Sequence, residues 1–161
     1  MIDKYRIGQG WDRHRLTSGN GFHLGGIFIN SKYRVVAHSD GDVALHALID
    51  SLLGAAGMGD IGKHFPPNEK RWENADSKQL LRNVVDRLKS DDWKIVNIDL
   101  TIIFQAEKLG SMRTKMEQAI AESIDQINSI NIKFKSGEDV GPTGRCEAIE
   151  AQSIVLIKKE C

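Results

Sequence analysis

The chain has 161 residues, of which 40% are hydrophobic and 27% charged, and its 22 basic and 22 acidic side chains cancel. This length suits one domain with a hydrophobic core, and the neutral balance argues against nucleic-acid binding and a polybasic membrane anchor. The two cysteines, Cys146 and Cys161, form neither a disulfide framework nor a C-x-x-C metal motif. No signal peptide and no apolar run of the roughly 18 residues that span a membrane are predicted. We therefore expect a cytoplasmic, bacterial-type protein, with a processed organelle form as the alternative.

The N-terminal residues have the pattern of β-strands. Residues 5–16 predict a short strand that runs into a loop. Residues 21–29 and 31–39 predict the two strands of a hairpin that turns at Asn30 and Ser31.

A helix follows the predicted hairpin. Its apolar residues recur at the spacing of one helical face, at positions Leu45, Leu48, Ile49, Leu52, Leu53 and Ala56. Ser39 or Asp40 is the expected N-cap, and Gly57 is the expected stop. The next segment, residues 59–76 (the polar loop), contains two prolines, and loops of this length within a domain are often functional.

The second half of the chain alternates helices and strands. Ser77 is the expected cap of a second helix, whose apolar face is Leu80, Leu81, Val84, Val85 and Leu88. Beyond it the pattern predicts a strand over 93–104, a helix over 110–126, a strand over 130–136, a glycine-rich turn over 137–147 and a final strand over 148–159. Strands that alternate with helices place the chain in the α/β (α+β) class.

Side chains of the kind that bind metals occur at the first strand and on the first helix. Asp12 and His14 are two residues apart in an extended segment, so they point the same way. His46 lies at the border of the helical apolar face, between Asp42 and Asp50. Two imidazoles and one carboxylate that leave a fourth position open are typical of a catalytic zinc site, with Asp42 placed to orient the His46 imidazole. The alternatives are a polar strand end and a histidine satisfied at the edge of the core.

Two further stretches suit a phosphate. His38 and Ser39 precede the predicted helix, beside the free N–H groups of its first turn. In the glycine-rich turn, backbone N–H groups can approach a phosphate, Arg145 can neutralise an anion and Glu138 can hold Mg²⁺. Helix capping and a simple hairpin turn are the corresponding structural alternatives.

The polar loop adds Asp60, Lys63 and His64, of which Lys63 and His64 are expected to be solvated. The metal-binding and phosphate-binding features together predict a site for phosphoryl transfer or for a phosphate ester. Their spacing does not indicate the substrate.

Six segments of the chain carry a family resemblance: "IGQGWDRHRL", "LGGIFI", "AHSDGDVALHALIDSLLGAAGMGDIGKHFP", "ADSKQLL", "NIDLTII" and "GPTGRCEAI". Together they resemble the 2-C-methyl-D-erythritol 2,4-cyclodiphosphate synthase family of the non-mevalonate isoprenoid pathway. The resemblance implies one synthase domain over 1–161, with a mixed, mainly four-stranded sheet, helices on one face and a small hairpin. It also implies a homotrimer with active sites between subunits, and the length implies the monofunctional form.

The activity implied by the resemblance is that of a phosphorus-oxygen lyase. The substrate is 4-diphosphocytidyl-2-C-methyl-D-erythritol 2-phosphate, which closes to 2-C-methyl-D-erythritol 2,4-cyclodiphosphate and releases CMP by metal-assisted intramolecular phosphoryl transfer. The implied cofactors are a divalent transition metal on Asp12, His14 and His46, either Zn²⁺ or Mn²⁺, and Mg²⁺ on Glu138 with the substrate diphosphate.

The resemblance also implies roles for individual residues. His38 and Ser136 stabilise the transition state, Asp60 contacts the erythritol hydroxyls, and residues 65–69 and 104–110 form a substrate loop and a cytidine pocket. The implied substrate contacts are Asp12, His14, His38, Ser39, Asp60, Ile61, Gly62, Phe65, Pro66, Pro67, Asn68, Glu69, Phe104, Gln105, Ala106, Lys108, Leu109, Lys135, Ser136, Gly137, Glu138, Pro142 and Arg145.

Some positions depart from the family pattern. Ser136 and Gly137 stand where two threonines are usual, so one hydroxyl is lost. Phe104 replaces a small residue beside the cytidine pocket, Pro67 a common aspartate and Pro142 a common phenylalanine. None of these changes removes a metal ligand, so activity is expected.

Two other functions remain open from the sequence. The first is a zinc-dependent phosphoesterase or cyclase for another nucleotide-linked diphosphate. The second is a non-catalytic trimer that binds an isoprenoid diphosphate in an apolar channel on its axis, near Arg145 and Glu147.

Overall fold

The computed structural model describes residues 4–125, 127 and 129–160. A five-stranded sheet with the order β4-β1-β7-β5-β6 lies at its centre, and β2 and β3 form a separate two-stranded sheet. The strands are β1 (Tyr5–Ser18), β2 (Phe22–Leu24), β3 (Ile27–Ile29), β4 (Tyr33–Val36), β5 (Trp93–Ile103), β6 (Ile130–Lys135) and β7 (Ala148–Lys159). The sheet is mixed, because β5 and β6 are parallel and the other neighbours are antiparallel.

The sheet has five strands rather than the predicted four, because β1 is longer than expected. It continues to Ser18, and its last residues pair with β4 from Arg15↔Val36 to Ser18↔Tyr33. The hairpin predicted to turn at residues 30–31 is therefore wrong. The hairpin joins β2 to β3 through Gly25 and Gly26, whose φ angles of 60° and 80° suit a two-residue turn that glycine adopts without strain.

The helices are α1 (Val43–Ala56), α2 (Ile61–His64), α3 (Ser77–Ser90), α4 (Arg113–Ser123) and α5 (Gly141–Gly144), with 3₁₀ turns at Lys70–Trp72 and Gly110–Met112. The polar loop thus contains two short helical turns, and the glycine-rich turn contains α5. The helix predicted over 110–126 begins as a 3₁₀ turn and its α-helical part ends at Ser123. Its predicted last residue, Gln126, lies outside the described residues, as does Cys161.

Two of the predicted helix caps need correction. Asp42, rather than Ser39 or Asp40, caps α1 by accepting the Leu45 N–H. Asp76, rather than Ser77, caps α3 by accepting the Lys78 N–H. The predicted stop of α1 is confirmed, because Gly57 adopts the left-handed conformation with φ 73°.

The helices cover one face of the sheet and leave the other face uncovered by them. Gly8 and Gly10 let α1 approach β1 closely, since a Cβ on either would lie 1.9 Å from a backbone oxygen of α1. On the opposite face Ile7 and Ile154 are 73% and 51% exposed. Within the described ranges, no helix has both the length and the apolarity needed to cross a membrane.

Candidate active site

Asp12, His14 and His46 (the metal group) converge where β1 passes the first turns of α1. Oδ2 of Asp12 lies 3.1 Å from Nε2 of His14 and 3.0 Å from Nδ1 of His46. The two imidazole nitrogens are themselves 3.0 Å apart. One potential ligand atom from each residue lies within 4.8 Å of the others, so the cluster predicted from the sequence is confirmed.

The donor atoms of the metal group fit a divalent transition ion. They form a nearly equilateral triangle, close to the separation of about 3.3 Å that bonds of about 2.0–2.1 Å give in a tetrahedral zinc site. Two imidazole nitrogens that face each other at 3.0 Å need a proton or a cation between them. Three ligands also leave a position for a substrate oxygen.

The charges within the metal group reinforce one another. Burial by itself would raise the pKa of Asp12, but hydrogen bonds and charges from His14 and His46 hold that pKa well below its ordinary value. Burial by itself would lower the pKa of His46, but the hydrogen bond and charge of Asp12 raise it above its ordinary value. The group therefore presents a permanent anion beside two imidazoles.

The far side of the His46 ring contacts two serines. Nε2 of His46 lies 3.0 Å from Oγ of Ser77 and 3.2 Å from Oγ of Ser39. The Ser77 hydroxyl donates to Oδ1 of Asp40, and the Ser77 N–H donates to Oδ2 of the same carboxylate at 2.9 Å. Sequence reasoning treated Asp40 and Ser77 only as candidate helix caps. It missed their link to His46 because Ser77 begins α3 and Asp40 lies in the loop before α1.

Asp42 does not orient His46 as predicted. Its buried carboxylate accepts the N–H groups of Gly25 and Gly26 at 2.8 and 2.7 Å, in addition to the capping N–H of Leu45. Asp42 thus joins the β2–β3 turn to the start of α1, which is a structural role.

Of the predicted phosphate-binding pair, Ser39 lies beside the metal group and His38 precedes it in the loop before α1. His38 is exposed and its carbonyl oxygen accepts the Asn74 N–H at 2.9 Å. The Ser39 hydroxyl oxygen accepts the Gly41 N–H at 3.2 Å and lies next to the His46 ring. Both residues precede α1, as the sequence predicted.

The polar loop is anchored to α1 one turn beyond His46. The N–H of Ile61 donates to Oδ1 of Asp50 at 2.7 Å, and exposed Asp60 caps α2 by accepting the Lys63 N–H. The ring of Phe65 is buried against Trp72, with centroids 4.9 Å apart, so it faces the core rather than a ligand.

Other residues of the polar loop differ in their exposure. Pro67 and Asn68 are exposed, as is Gly62, whereas Pro66 and Glu69 are partly buried. His64 is not simply solvated as predicted. Its ring bonds to the carbonyl of Met58 at 2.9 Å and to the Arg87 guanidinium at 2.8 Å.

The residues predicted for the cytidine pocket line one cavity of about 550 Å³. All of residues 104–110, the predicted pocket, line it, together with Lys135 and Ser136, which were predicted as substrate contacts. Phe104 is only 5% exposed and packs edge-to-face on Phe22, with ring centroids 5.6 Å apart. Its ring therefore forms the inner wall of the cavity.

The glycine-rich turn is tied to this cavity by Gln105. Its side chain accepts the Gly137 N–H at 2.9 Å and donates to Oδ1 of Asp139 at 3.0 Å. The Ser136 hydroxyl donates to Glu138, and both Glu138 and Asp139 have positive φ angles, of 49° and 58°. Such angles are strained for residues other than glycine and cluster at functional sites.

The remaining residues of the glycine-rich turn have partners within it. Arg145 pairs with Glu147 through two hydrogen bonds of 2.9 and 3.1 Å, and these bonds orient its guanidinium. Pro142 occupies the first turn of α5, where proline is favoured, and its carbonyl accepts the Glu147 N–H at 2.8 Å.

Comparison with known proteins identifies the family. The profile of the YgbB family matches residues 5–158. The chain belongs to the YgbB family.

Relatives of this YgbB-family chain include named synthases. A 2-C-methyl-D-erythritol 2,4-cyclodiphosphate synthase from Pseudomonas putida is 48% identical over 153 residues, which cover 94% of this chain and 98% of the relative. The synthase from Xanthomonas axonopodis pv. citri is 42% identical over 158 residues, covering 98% and 95%.

Solved structures of the family share the fold. The IspF CDP complex from Plasmodium falciparum has a TM-score of 0.87 and 32% identity, and the match covers both chains completely, at 100% each. The bifunctional IspDF from Campylobacter jejuni has a TM-score of 0.92 and 34% identity, over 97% of this chain and 42% of that one.

In this YgbB-family chain the predicted site residues form two groups. The first group lies near α1: the metal group with Ser39 beside His46, His38 in the loop before the helix, and Asp60 next to Ile61, which binds Asp50 of α1. The 104–110 segment and the glycine-rich turn surround the cavity, whose lining, among the residues described, contains no member of the metal group. Within one chain the predicted site residues therefore lie in two separate groups.

The structure also explains one departure from the family pattern. A Cβ on Gly137 would lie 2.3 Å from the backbone nitrogen of Gly144. In the present geometry of the glycine-rich turn, a threonine would not fit at this position without displacing the backbone.

Proposed function

We propose that the chain converts 4-diphosphocytidyl-2-C-methyl-D-erythritol 2-phosphate to 2-C-methyl-D-erythritol 2,4-cyclodiphosphate and CMP, a step of the non-mevalonate pathway. An oxygen of the 2-phosphate attacks the β-phosphorus, and the bond from that phosphorus to the CMP oxygen breaks. The observation that carries the proposal is the metal group, placed in a chain 48% identical to a synthase along almost all of its length.

The proposed metal is a divalent transition ion, Zn²⁺ or, as the alternative, Mn²⁺. Asp12, His14 and His46 would hold it, and when bound it supplies a Lewis acid for a phosphate oxygen. Nitrogen and carboxylate donors suit both ions, with zinc the more usual occupant of a two-histidine site with an open position.

His38 and Ser39 are proposed to bind and orient the phosphate that reacts. They lie before α1, whose first N–H groups and dipole favour an anion. The attacking phosphate oxygen is already nucleophilic, so the side chains position it and neutralise charge rather than remove a proton. Asp60, exposed at the start of the polar loop, is proposed to accept hydrogen bonds from the erythritol hydroxyls.

The cavity at residues 104–110 is proposed to hold the cytidine. Its volume of about 550 Å³ is in the range of small-molecule sites, and Lys108 and Lys135 at its rim can pair with phosphates. The IspF CDP complex, which superposes along the full chain, supports a nucleotide ligand.

The glycine-rich turn is proposed to carry the leaving group. Glu138 would hold Mg²⁺, which when bound neutralises charge on the diphosphate. Ser136 is proposed to stabilise the transition state, and its hydroxyl is already oriented by Glu138. Ile61, Gly62 and the exposed residues of the polar loop would border the substrate.

A homotrimer with active sites between subunits would bring together the two separate groups of predicted site residues, each contributed by a different subunit. The uncovered face of the sheet supports this proposal, because it exposes Ile7, Trp11 and Ile154. Glu150 on the same face is largely buried by Arg13 and by the Trp11 N–H. An isoprenoid diphosphate on the trimer axis, near Arg145 and Glu147, remains a prediction.

We propose that residues 1–161 form a single synthase domain and that the protein is located in the cytoplasm. The chemistry of the proposed reactants supports this location, because a nucleotide-linked diphosphate and CMP are charged molecules that do not cross membranes unaided.

The test is turnover of the synthetic substrate by metal-loaded protein, with CMP and the cyclic diphosphate detected by mass spectrometry. Equal amounts of both products are expected. Release of CMP with a linear phosphate would instead indicate a phosphoesterase, and no turnover would indicate a binding protein. CMP is expected to compete with the substrate better than AMP, GMP or UMP.

A further inference from the structure

We propose that Ser77, held by Asp40, is a positioning residue that fixes the tautomer of His46. In that tautomer Nε2 carries the proton and Nδ1 has a free lone pair for the metal ion. The inference rests on the proposed function only in that it requires a metal ion on the metal group.

The direction of each hydrogen bond follows from Asp40. A carboxylate offers acceptors only, and that of Asp40 already accepts the N–H groups of Ser77 and Asp42 at 2.9 and 3.2 Å. The single hydroxyl proton of Ser77 is therefore donated to Asp40. The Ser77 oxygen is left with lone pairs only.

This leaves one role for the Ser77 oxygen toward His46. It lies 3.0 Å from Nε2, and two lone pairs at that distance would repel each other. Nε2 must therefore donate to Ser77. Without a metal ion Nδ1 also carries a proton, donated to the carboxylate of Asp12, and this Nδ1 proton is the one that a bound ion replaces, so the ligating lone pair lies on Nδ1. Nδ1 is the atom that faces Asp12 and His14, each at 3.0 Å.

The same geometry prepares Ser39 for a ligand. Its oxygen accepts the Gly41 N–H at 3.2 Å and lies 3.2 Å from the protonated Nε2. Because the Ser39 oxygen is the acceptor in both contacts, its hydroxyl proton is free to be donated to a ligand. The Ser77–Asp40 pair thus acts on the metal ligand and on the proposed phosphate contact through one ring nitrogen.

Burial strengthens the constraint. Ser77 is fully buried and His46 is 8% exposed, so water does not readily replace the serine oxygen. Partners that orient a ligating histidine typically contribute about 10- to 100-fold to metal affinity. Ser77→Ala retains the backbone N–H that binds Asp40, and it leaves Asp76 to cap α3, so it removes the contact to His46 selectively.

The test is titration of the metal-free full chain with Co²⁺, followed by its visible absorption. We expect Ser77→Ala and Asp40→Asn each to weaken Co²⁺ binding by about 10- to 100-fold and to change the ligand-field bands. The double variant is expected to bind Co²⁺ about as tightly as whichever single variant binds it less tightly, because both changes interrupt one chain of hydrogen bonds. Two independent structural effects would instead add.

Ser51→Ala is the matched control. Ser51, in α1, is likewise a fully buried serine, and its hydroxyl bonds to Ser153 and to the Leu48 carbonyl instead of to the metal group. Its Co²⁺ affinity and spectrum should equal those of the unsubstituted chain. A fall as large as that of Ser77→Ala would show that loss of any buried serine loosens the site, and would overturn the inference.

The outcomes separate the inference from the proposed function. If the unsubstituted chain binds Co²⁺ and Ser77→Ala binds it equally well, with the same spectrum, the positioning role is wrong and the metal site stands. If the unsubstituted chain binds no Co²⁺, the metal site and the positioning role both fail.

Discussion

Gly10 of β1 lies directly against Ala47 of α1, where a Cβ on Gly10 would stand 1.9 Å from the Ala47 carbonyl oxygen. This contact sets the distance between the strand and the helix. Asp12 and His14 follow Gly10 on the same face of the strand, and His46 precedes Ala47 on the helix. The absence of a side chain at one position therefore brings the three metal-binding residues together.

Gly10→Ala is expected to damage both the fold and the metal site. Forcing β1 away from α1 should lower the free energy of unfolding by about 1–3 kcal/mol, the usual cost of overpacking a core. It should also weaken Co²⁺ binding, because Asp12 and His14 move with the strand. Urea denaturation and Co²⁺ titration measure the two effects.

Gly54→Ala is the control for that substitution. Gly54 lies in α1, and a Cβ there would meet only the Gln9 carbonyl oxygen at an ordinary 3.9 Å. Alanine should stabilise the helix by up to about 1 kcal/mol. The account of the Gly10 contact fails if both variants behave alike.

Asp60→Ala is expected to impair catalysis more than folding. Asp60 is exposed and caps only the short helix α2, so the loss of its cap should cost about 1 kcal/mol. The specificity constant kcat/KM should fall much further, because a contact to the erythritol is lost. Loss of the folded protein in Asp60→Ala would mean that this carboxylate is structural.

Gly137→Thr restores the residue usual in the family and is nevertheless expected to lower activity. Its Cβ would collide with the backbone nitrogen of Gly144, so the glycine-rich turn must shift and carry Glu138 with it. The rate of product formation checks this expectation. Higher turnover in the variant would show that the missing hydroxyl matters more than the close approach.

Metal affinity is expected to rise with pH and then level off. The carboxylate of Asp12 raises the pKa of His46, so the free protein retains the proton to a higher pH than an ordinary histidine does. Below that pKa each bound ion must displace the proton, and affinity should fall about tenfold per pH unit. Zn²⁺ titrations between about pH 6 and about pH 8 should show this slope. An affinity independent of pH over this interval would contradict it.

Ile154→Lys is expected to disrupt the proposed trimer without unfolding the subunit. Ile154 is 51% exposed on the uncovered sheet face, where a charge is tolerated in a monomer and is unfavourable in an interface. Light scattering after size-exclusion chromatography gives the mass. Asn83→Lys, on the exposed side of α3, should remain trimeric. A trimer that survives Ile154→Lys would place the interface elsewhere.

The metal group could be predicted from the sequence because each of its parts follows a local pattern. Strand periodicity put Asp12 and His14 on one face, and helical periodicity put His46 at the edge of the core. Their convergence needed only the usual packing of a helix on a strand.

The features that sequence reasoning missed depend on distant partners. Asp42 has the spacing of a partner for His46, but the turn at Gly25 and Gly26 supplies better donors for its buried carboxylate. Ser77 contacts His46, and Asp40 contacts Ser77, only because α3 begins beside the loop before α1. The fifth strand escaped prediction because β4 pairs with the end of β1, which local pattern alone had assigned to a loop.

The most direct test of the account measures bound zinc and turnover together in the unsubstituted chain and in His46→Ala. We expect one Zn²⁺ per unsubstituted chain with formation of CMP and the cyclic diphosphate, and loss of both in the variant, whose fold is checked by circular dichroism. A folded His46→Ala protein that no longer binds zinc but still forms the products at the full rate would contradict the account.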